Sequence, residues 1–416
     1  MIVSYKAGLA ITLTLLLAAC GGRVVPGAPG AGLAPVRQPT PATPVPAKPN
    51  AAAAPGATAA TSGLVAGPPA AGLAIDRDRA AAALAAFRQS CASLIRRTDL
   101  SGLTRGDDWR PACTAAGTAA AAADPRGFFT RWFETVQVGD GKAFATGYYI
   151  PEIAASRDRR PGYDVPIYGR PSDLVEVDLG DFSEALKGKK IRGRIEGGAL
   201  MPYFDRTEIE QGRLTNAPIL AWAADPVALF FLQVQGSGVL RLADGGSITI
   251  GYATQNGRDY TGIGVVMRDR GLVKPGQLSM QGLSAWLHAN PDQGVAIMRE
   301  NRSYVFFRVL DGPPVGALGL PVTGGVTVAA DVRFIPLGAP VFLSLDRADA
   351  SGLWIAQDTG GAIKGANRVD TFWGGGREAE AIAGGMSGRG TAFLLLPVGT
   401  LARLRGVGSG GPSPRP

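Results

Sequence analysis

The chain has 416 residues, enough for about two domains and a tail, and 46% of them are hydrophobic, an ordinary share for a globular protein. Its formal charge of +8 is spread over scattered Arg and Lys with no dense basic run interleaved with aromatics, which argues against a nucleic-acid partner. One histidine and three cysteines exclude a histidine-rich metal centre and argue against Ser-His-Asp or Cys-His catalysis.

Residues 1–20 read as an export signal: Lys6 supplies the positive charge, Leu9 to Leu17 is an apolar run too short to span a bilayer, and Leu17-Ala18-Ala19-Cys20 closes it. That ending resembles a bacterial lipobox, in which Cys20 is acylated and becomes the new N-terminus. A plain secretory signal beside a cysteine is the alternative. By similarity to known sorting rules, Gly21 after Cys20 points to the periplasmic face of the outer membrane, with a lipid anchor in place of a transmembrane helix. Residues 21–75 contain no acidic and no aromatic residue and predict an extended, disordered Ala/Pro/Gly-rich tether.

Globular composition begins at Asp76. Leu84, Phe87, Cys91, Leu94 and Ile95 recur at helical spacing and predict a helix over 77–97; a shorter one over 125–135 carries Phe128, Phe129, Trp132 and Phe133. Cys91 and Cys113 form either a disulfide, which an exported compartment permits, or two buried thiols. Strands follow over 143–151, 228–238 and 239–252, with a hairpin turn at ADGGS, and again over 303–309. A helical interlude covers 262–299. Strands return at 326–332, 340–345, 352–358 and 391–397, and 372–390 reads as a long Gly-rich loop. The tail, 406–416, is Gly, Ser and Pro and predicts disorder.

Chemistry concentrates in QDTGGAIKG (357–365) and the following ANRVD. Asp358 and Asp370 stand twelve residues apart with Gly360, Gly361 and Gly365 between them, and Asp331 precedes them in AADVRFIPLG. His288 lies on a predicted helix beside Ala and Asn and reads as a surface residue. QGSGV lacks the spacing of a nucleophile elbow, and GGAIKG lacks that of a P-loop. Asp358-Thr359-Gly360 matches a single aspartic-protease element, where a pepsin-like enzyme needs two. Val369, Phe372 and Trp373 around Asp370 would remove water and raise its pKa, and nearby carboxylates would raise it further. A carboxyl protonated near neutrality suits a general acid for a glycosidic oxygen. The competing role for these aspartates is to cap turns against Gly-rich backbone. In QVQGSG, strand periodicity would put Gln233 and Gln235 on one face beside Gly236 and Gly238. Tyr148, Tyr149, Tyr252, Tyr260 and Tyr304 would stack on sugar rings or pack across strands.

TGYYIP (146–151), QVQGSG (233–238), GYATQNGRDYTGIG (251–264), NRSYVFF (301–307), AADVRFIPLG (329–338) and QDTGGAIKGANRVDTFWG (357–374) together resemble the membrane-bound lytic murein transglycosylase A family, with its C-terminal three-aspartate domain. The resemblance covers about 144–397. It implies a mainly β fold with N-terminal helices: a double-ψ β-barrel assembled from 76–150 and 310–405, with a β-rich glycan-binding domain, 151–309, inserted. It places the general acid/base on Asp370, with Asp358 and Asp331 shaping and charging the site. Thr146, Gly147, Tyr148, Tyr149, Gln235, Gly236, Ser237, Gly238 and Tyr304 would line the groove; Ile150 stands where some relatives have Thr. The implied reaction is cleavage of the β-1,4 bond between N-acetylmuramic acid and N-acetylglucosamine in peptidoglycan, giving 1,6-anhydromuramyl products, with no cofactor and no metal. A hydrolytic muramidase using paired aspartates and a non-catalytic peptidoglycan-binding lipoprotein are the alternatives.

Overall fold

A computed structural model describes residues 39–274 and 278–408. Cys20 and the first part of the expected tether, 21–38, lie outside them. The N-terminal portion contains β1 (Leu64–Ala66), α1 (Arg77–Arg96), α2 (Gly106–Ala116), α3 (Ala119–Ala123), α4 (Pro125–Trp132), β2 (Phe133–Val138) and β3 (Lys142–Ile150). The middle portion contains β4 (Glu152–Ser156), β5 (Val165–Tyr168), β6 (Val175–Asp178), β7 (Lys190–Glu196), β8 (Ala199–Pro202), the single turn α5 (Arg206–Glu208), β9 (Ile219–Ala223), α6 (Pro226–Gln235), β10 (Ser237–Leu242), β11 (Ser247–Gln255), α7 (Ile263–Asp269), α8 (Met280–Ala289), α9 (Pro291–Glu300) and β12 (Val305–Val309). The last portion contains β13 (Thr327–Ala330), β14 (Pro340–Leu345), β15 (Gly352–Asp358), β16 (Arg368–Gly375), α10 (Gly376–Gly384), β17 (Ser387–Pro397) and α11 (Thr400–Gly408).

Six strands close into a ring in the order β3-β17-β14-β15-β13-β16, and β16 returns to β3. The long β17 makes closure possible: Ser387–Thr391 pair with β3, while Gly390–Leu394 pair with β14. Val328, Val341, Leu343, Ala356 and Val369 are fully buried and share the inner face of the ring, while Leu353, Ile355 and Leu395 are fully buried on the opposite face. All of β4–β12 falls between β3 and β13 in sequence. It forms a six-stranded sheet ordered β12-β11-β10-β4-β9-β5 and a small sheet ordered β6-β7-β8. The fold is mainly β with helices at its flanks.

The N-terminal helices pack one apolar stripe onto the ring. Asp76 caps α1, its carboxylate accepting from Arg79 N at 2.9 Å, and Asp124 caps α4 with Pro125 at the first helical position. Phe87 meets Trp109, Phe128, Phe129 and Phe133 with ring centroids 5.4–6.4 Å apart. Burying such a ring contributes up to about 3 kcal/mol.

Several expectations are corrected here. Residues 39–75 are not a free tether. Lys48 N donates to Gln137 Oε1 at 2.7 Å, β1 pairs antiparallel with β2, and Ala59, Leu73 and Ile75 are buried. The open edge of β2 supplies backbone partners, and Ala and Leu are small enough to fill the hollows; neither needs charge or aromatic residues. The predicted strand 228–238 is mostly helix α6. An apolar run of this length carries no periodicity that separates helix from strand. The deciding signals are local: Asp225 caps it at Val227 N (2.8 Å), Pro226 opens it, and Gly236 closes it in the left-handed region at φ 81°. The predicted loop 372–390 contains strand β16 residues, helix α10 and the start of β17. Helix α11 carries the chain to Gly408, past the predicted start of disorder at 406; residues 409–416 lie outside the described ones.

Cys91 on α1 and Cys113 on α2 are bonded, with Cα atoms 5.6 Å apart. Closing this loop removes about 3 kcal/mol of unfolded-state entropy. A Cys91→Ala/Cys113→Ala protein should lose about 3 kcal/mol of stability in urea unfolding, with no loss of activity per folded molecule.

Candidate active site

Parallel pairing of β3 with β16 sets the site. Its register places Phe144 beside Arg368, Thr146 beside Asp370 and Tyr148 beside Phe372. These six share one face of the pair, because side chains alternate along a strand. Ala145 and Val369, fully buried, point the other way into the ring. Ala329 of β13 pairs with Asp370 on one side and with Asp358 on the other. Two carboxylates thus flank one alanine, their Cα atoms about 10 Å apart, or two strand spacings.

Asp370 Oδ1 accepts from the Thr146 hydroxyl at 2.5 Å. Its pKa is pushed up to about 6: burial and the nearby Asp358 raise it, against the Thr146 hydrogen bond and the Arg368 charge. Asp358 accepts at Oδ2 from the Tyr148 hydroxyl (2.9 Å) and at Oδ1 from the N–H groups of Thr359 (2.8 Å) and Ala317 (2.9 Å). Burial still holds its pKa above the usual carboxylate range. Tyr148 stacks on Phe372 with centroids 4.9 Å apart, and its phenol is raised by burial and by Asp358.

Asp331 does something else. Burial works to raise its pKa, but Arg333 outweighs that with a two-pronged contact (3.1 and 2.7 Å), helped by the N–H groups of Arg333 and Gly365. It stays below the usual range and ties the 357–365 loop to the turn after β13. Its charge is spent on that loop, so its support of the site is architectural.

The remaining expected residues divide. Gly147 is required by packing: a Cβ there would lie 2.8 Å from Met386 Cβ and 3.0 Å from both Ala383 Cα and Trp373 Nε1. Tyr149 points opposite to Tyr148 and is buried against Ala379 and Ala383 of α10. Its N–H donates to Gln235 Oε1 at 3.1 Å, which joins the end of α6 to β3. Gln233 and Gln235 do not share a face, because α6 is a helix; Gln233 is buried and reaches the Tyr304 hydroxyl. Tyr304 is core, packed beside Phe306 (5.4 Å) and under the Arg206 guanidinium (5.1 Å), so it supports a wall instead of forming its surface. Ser237 starts β10, and a side chain at Gly238 would collide with Leu232 and Pro151 O. Tyr260, from the segment before α7, leaves part of its ring exposed, while desolvation around its hydroxyl and the Asp370 charge raise its phenol. It brings the inserted segment to the barrel carboxylate. Arg368 was missed. Its only signal was the period-two spacing in RVD, which puts it on the face of Asp370.

Residues 144–308 match the MltA specific insert domain, and residues 326–396 match the 3D domain. The crystal structure of MltA from Neisseria gonorrhoeae is 36% identical, with a TM-score of 0.65 over 85% of this chain and 98% of that one. This chain belongs to the membrane-bound lytic murein transglycosylase A family. The family member from Escherichia coli strain K12 is 33% identical over 267 residues, 61% of this chain and 66% of that protein, so the match spans just under two thirds of the relative's length. The family also includes an E. coli MltA structure with bound chitohexaose, 27% identical at a TM-score of 0.59 over 80% of this chain and 94% of that one.

The raised pKa of Asp370 has a consequence for stability. Its folded value, about 6, exceeds the unfolded one, so the fold loses stability as pH rises from about 4 through about 6. Asp370→Asn removes that loss. Relative to the native chain, the variant should gain about 2 kcal/mol between about pH 4 and pH 8, a figure discounted for partial exposure; urea unfolding at the two pH values checks it.

Proposed function

We propose that the chain is a lytic transglycosylase that cleaves the β-1,4 bond between N-acetylmuramic acid and N-acetylglucosamine, with Asp370 as sole general acid and base. The observation that carries this reading is the placement of the half-buried Asp370 carboxyl, hydrogen-bonded to Thr146 with its pKa pushed up to about 6. A group with that pKa can give a proton to the bridging oxygen and take one back at neutral pH. The bound chitohexaose in the E. coli relative supports a glycan as ligand.

The proposed steps use the Asp370 carboxyl twice. Protonated Asp370 delivers its proton to the glycosidic oxygen as the bond to the muramyl anomeric carbon breaks. Positive charge develops on that carbon, and the Asp358 side and the newly ionised Asp370 stabilise it electrostatically. Asp370 then accepts the proton of the sugar's own C6 hydroxyl, which attacks and closes the 1,6-anhydro ring. The nucleophile is intramolecular, so no second carboxylate has to activate water. Tyr260 and the Gln235–Tyr149 junction form the approach from the inserted segment. We further read the six-stranded ring as a double-ψ barrel, and 151–309 as a glycan-binding domain. Cys20 is read as a lipid anchor at the periplasmic face of the outer membrane; among the described residues no helix is long and apolar enough to cross a membrane.

Digestion of purified murein tests the proposal. The native chain should release saccharides one water lighter than hydrolysis products, and Asp370→Asn should lose at least about 10²–10⁴-fold in rate. Free reducing ends, or an unchanged rate in the variant, would overturn it.

A further inference from the structure

The Asp370 carboxyl is the end of a longer hydrogen-bonded line. Arg368 Nη2 donates to Thr146 Oγ1 at 2.8 Å, and the Thr146 hydroxyl donates onward to Asp370 Oδ1 at 2.5 Å. The direction is forced. Guanidinium carries only donors, whereas a hydroxyl has one proton and two lone pairs. With Arg368 donating into its oxygen, Thr146 has one proton left, and Asp370 Oδ1 is the acceptor in line with it.

Arg368 is itself held. Its Nη1 donates to Val369 O, and its guanidinium lies over the Phe144 ring at 4.9 Å, while Arg389 lies against the same ring at 4.8 Å. Thr146 is held through its backbone as well: Thr371 Oγ1 donates to Thr146 O at 2.8 Å and accepts from Trp373 Nε1 at 2.9 Å. Neither end of the line is free to turn.

We propose that Arg368 is a positioning residue for bond cleavage, which acts through the Thr146 hydroxyl to keep Asp370 Oδ1 as an acceptor and so places the transferable proton on Oδ2. This rests on the reading of Asp370 as the acid. An acid able to carry its proton on either oxygen would spend part of its time with the proton facing Thr146, where no substrate can take it. The Arg368–Thr146 line removes that state. Arg368 also faces Asp370 itself and shares the Phe144 ring with Arg389, so its charge acts on Asp370 directly in addition to acting through Thr146.

The test is a double-mutant cycle, read by murein-solubilisation kinetics and by carbon-13 titration of the Asp370 carboxyl, assigned with Asp370→Asn. Arg368→Met and Thr146→Val should each lower kcat roughly 10- to 100-fold with little change in KM. Each should also move the Asp370 titration to higher pH. Thr146→Ser, which keeps the hydroxyl, should restore both readouts. In the Thr146→Val background, Arg368→Met should cost clearly less rate than it does in the native chain, because the line is already cut and only the direct effect of the charge on Asp370 is left to lose. Losses that multiply, or an Asp370 titration unmoved by Arg368→Met, would overturn the proposal. Should Arg368→Met not fold, Arg368→Gln takes its place in the cycle: it retains one donor toward Thr146 without the charge and should fall between native and Thr146→Val in rate. The titration reads the line even if the products prove hydrolytic or no cleavage occurs, so failure of the proposed reaction and failure of the Arg368 role are told apart.

Discussion

The parallel register between β3 and β16 is the constraint from which the site follows. It sets Thr146 directly across from Asp370 and, two residues to either side, Phe144 across from Arg368 and Tyr148 across from Phe372. A slip of one residue would turn Asp370 into the space now filled by Val369 and expose Val369 in its place. Packing guards the register from the face opposite the site. Ala145 and Val369 are fully buried within the ring. On that same face, α10 and Trp373 press so closely on Gly147 that no side chain fits there.

Three aspartates that look alike in sequence are set to three different tasks by their neighbours. Asp331 meets a guanidinium fork and backbone N–H groups, so it stays ionised and clamps a loop. Asp358 takes three neutral donors and remains raised by burial. Asp370 has one hydroxyl and a cation once removed, little to offset desolvation, and so sits near 6. The gradient from paired to weakly solvated is what separates architecture from chemistry here, as expected when environment alone distinguishes carboxylates.

Much of this was legible from sequence. The helix at 77–96 announced itself through its apolar spacing, and the ring strands through short apolar runs ended by Gly or Asp. The apolar company of Asp370 pointed to its raised pKa. What stayed hidden has physical causes. Helix α6 is apolar on every side, so only its end signals could identify it. Helix α10 was masked by flanking glycines. The tandem tyrosines look equivalent, yet strand alternation sends Tyr148 to Asp358 and Tyr149 under α10. Arg368 reads as an ordinary charge until its strand partner is known, because its meaning lies in Thr146, more than two hundred positions away.

That separation also governs when the molecule becomes competent. Thr146 and Asp370 are 224 positions apart, and β3 meets both β16 and β17 only across the whole intervening insert. Such non-local pairing pays its loop-closure entropy late and makes assembly slow. A nascent chain still short of its final strands carries the hydroxyl without the acid, and later the acid without a closed ring to dehydrate it. On the proposed role of Asp370, latency is written into the topology: the polypeptide remains chemically blunt until its last strand is seated.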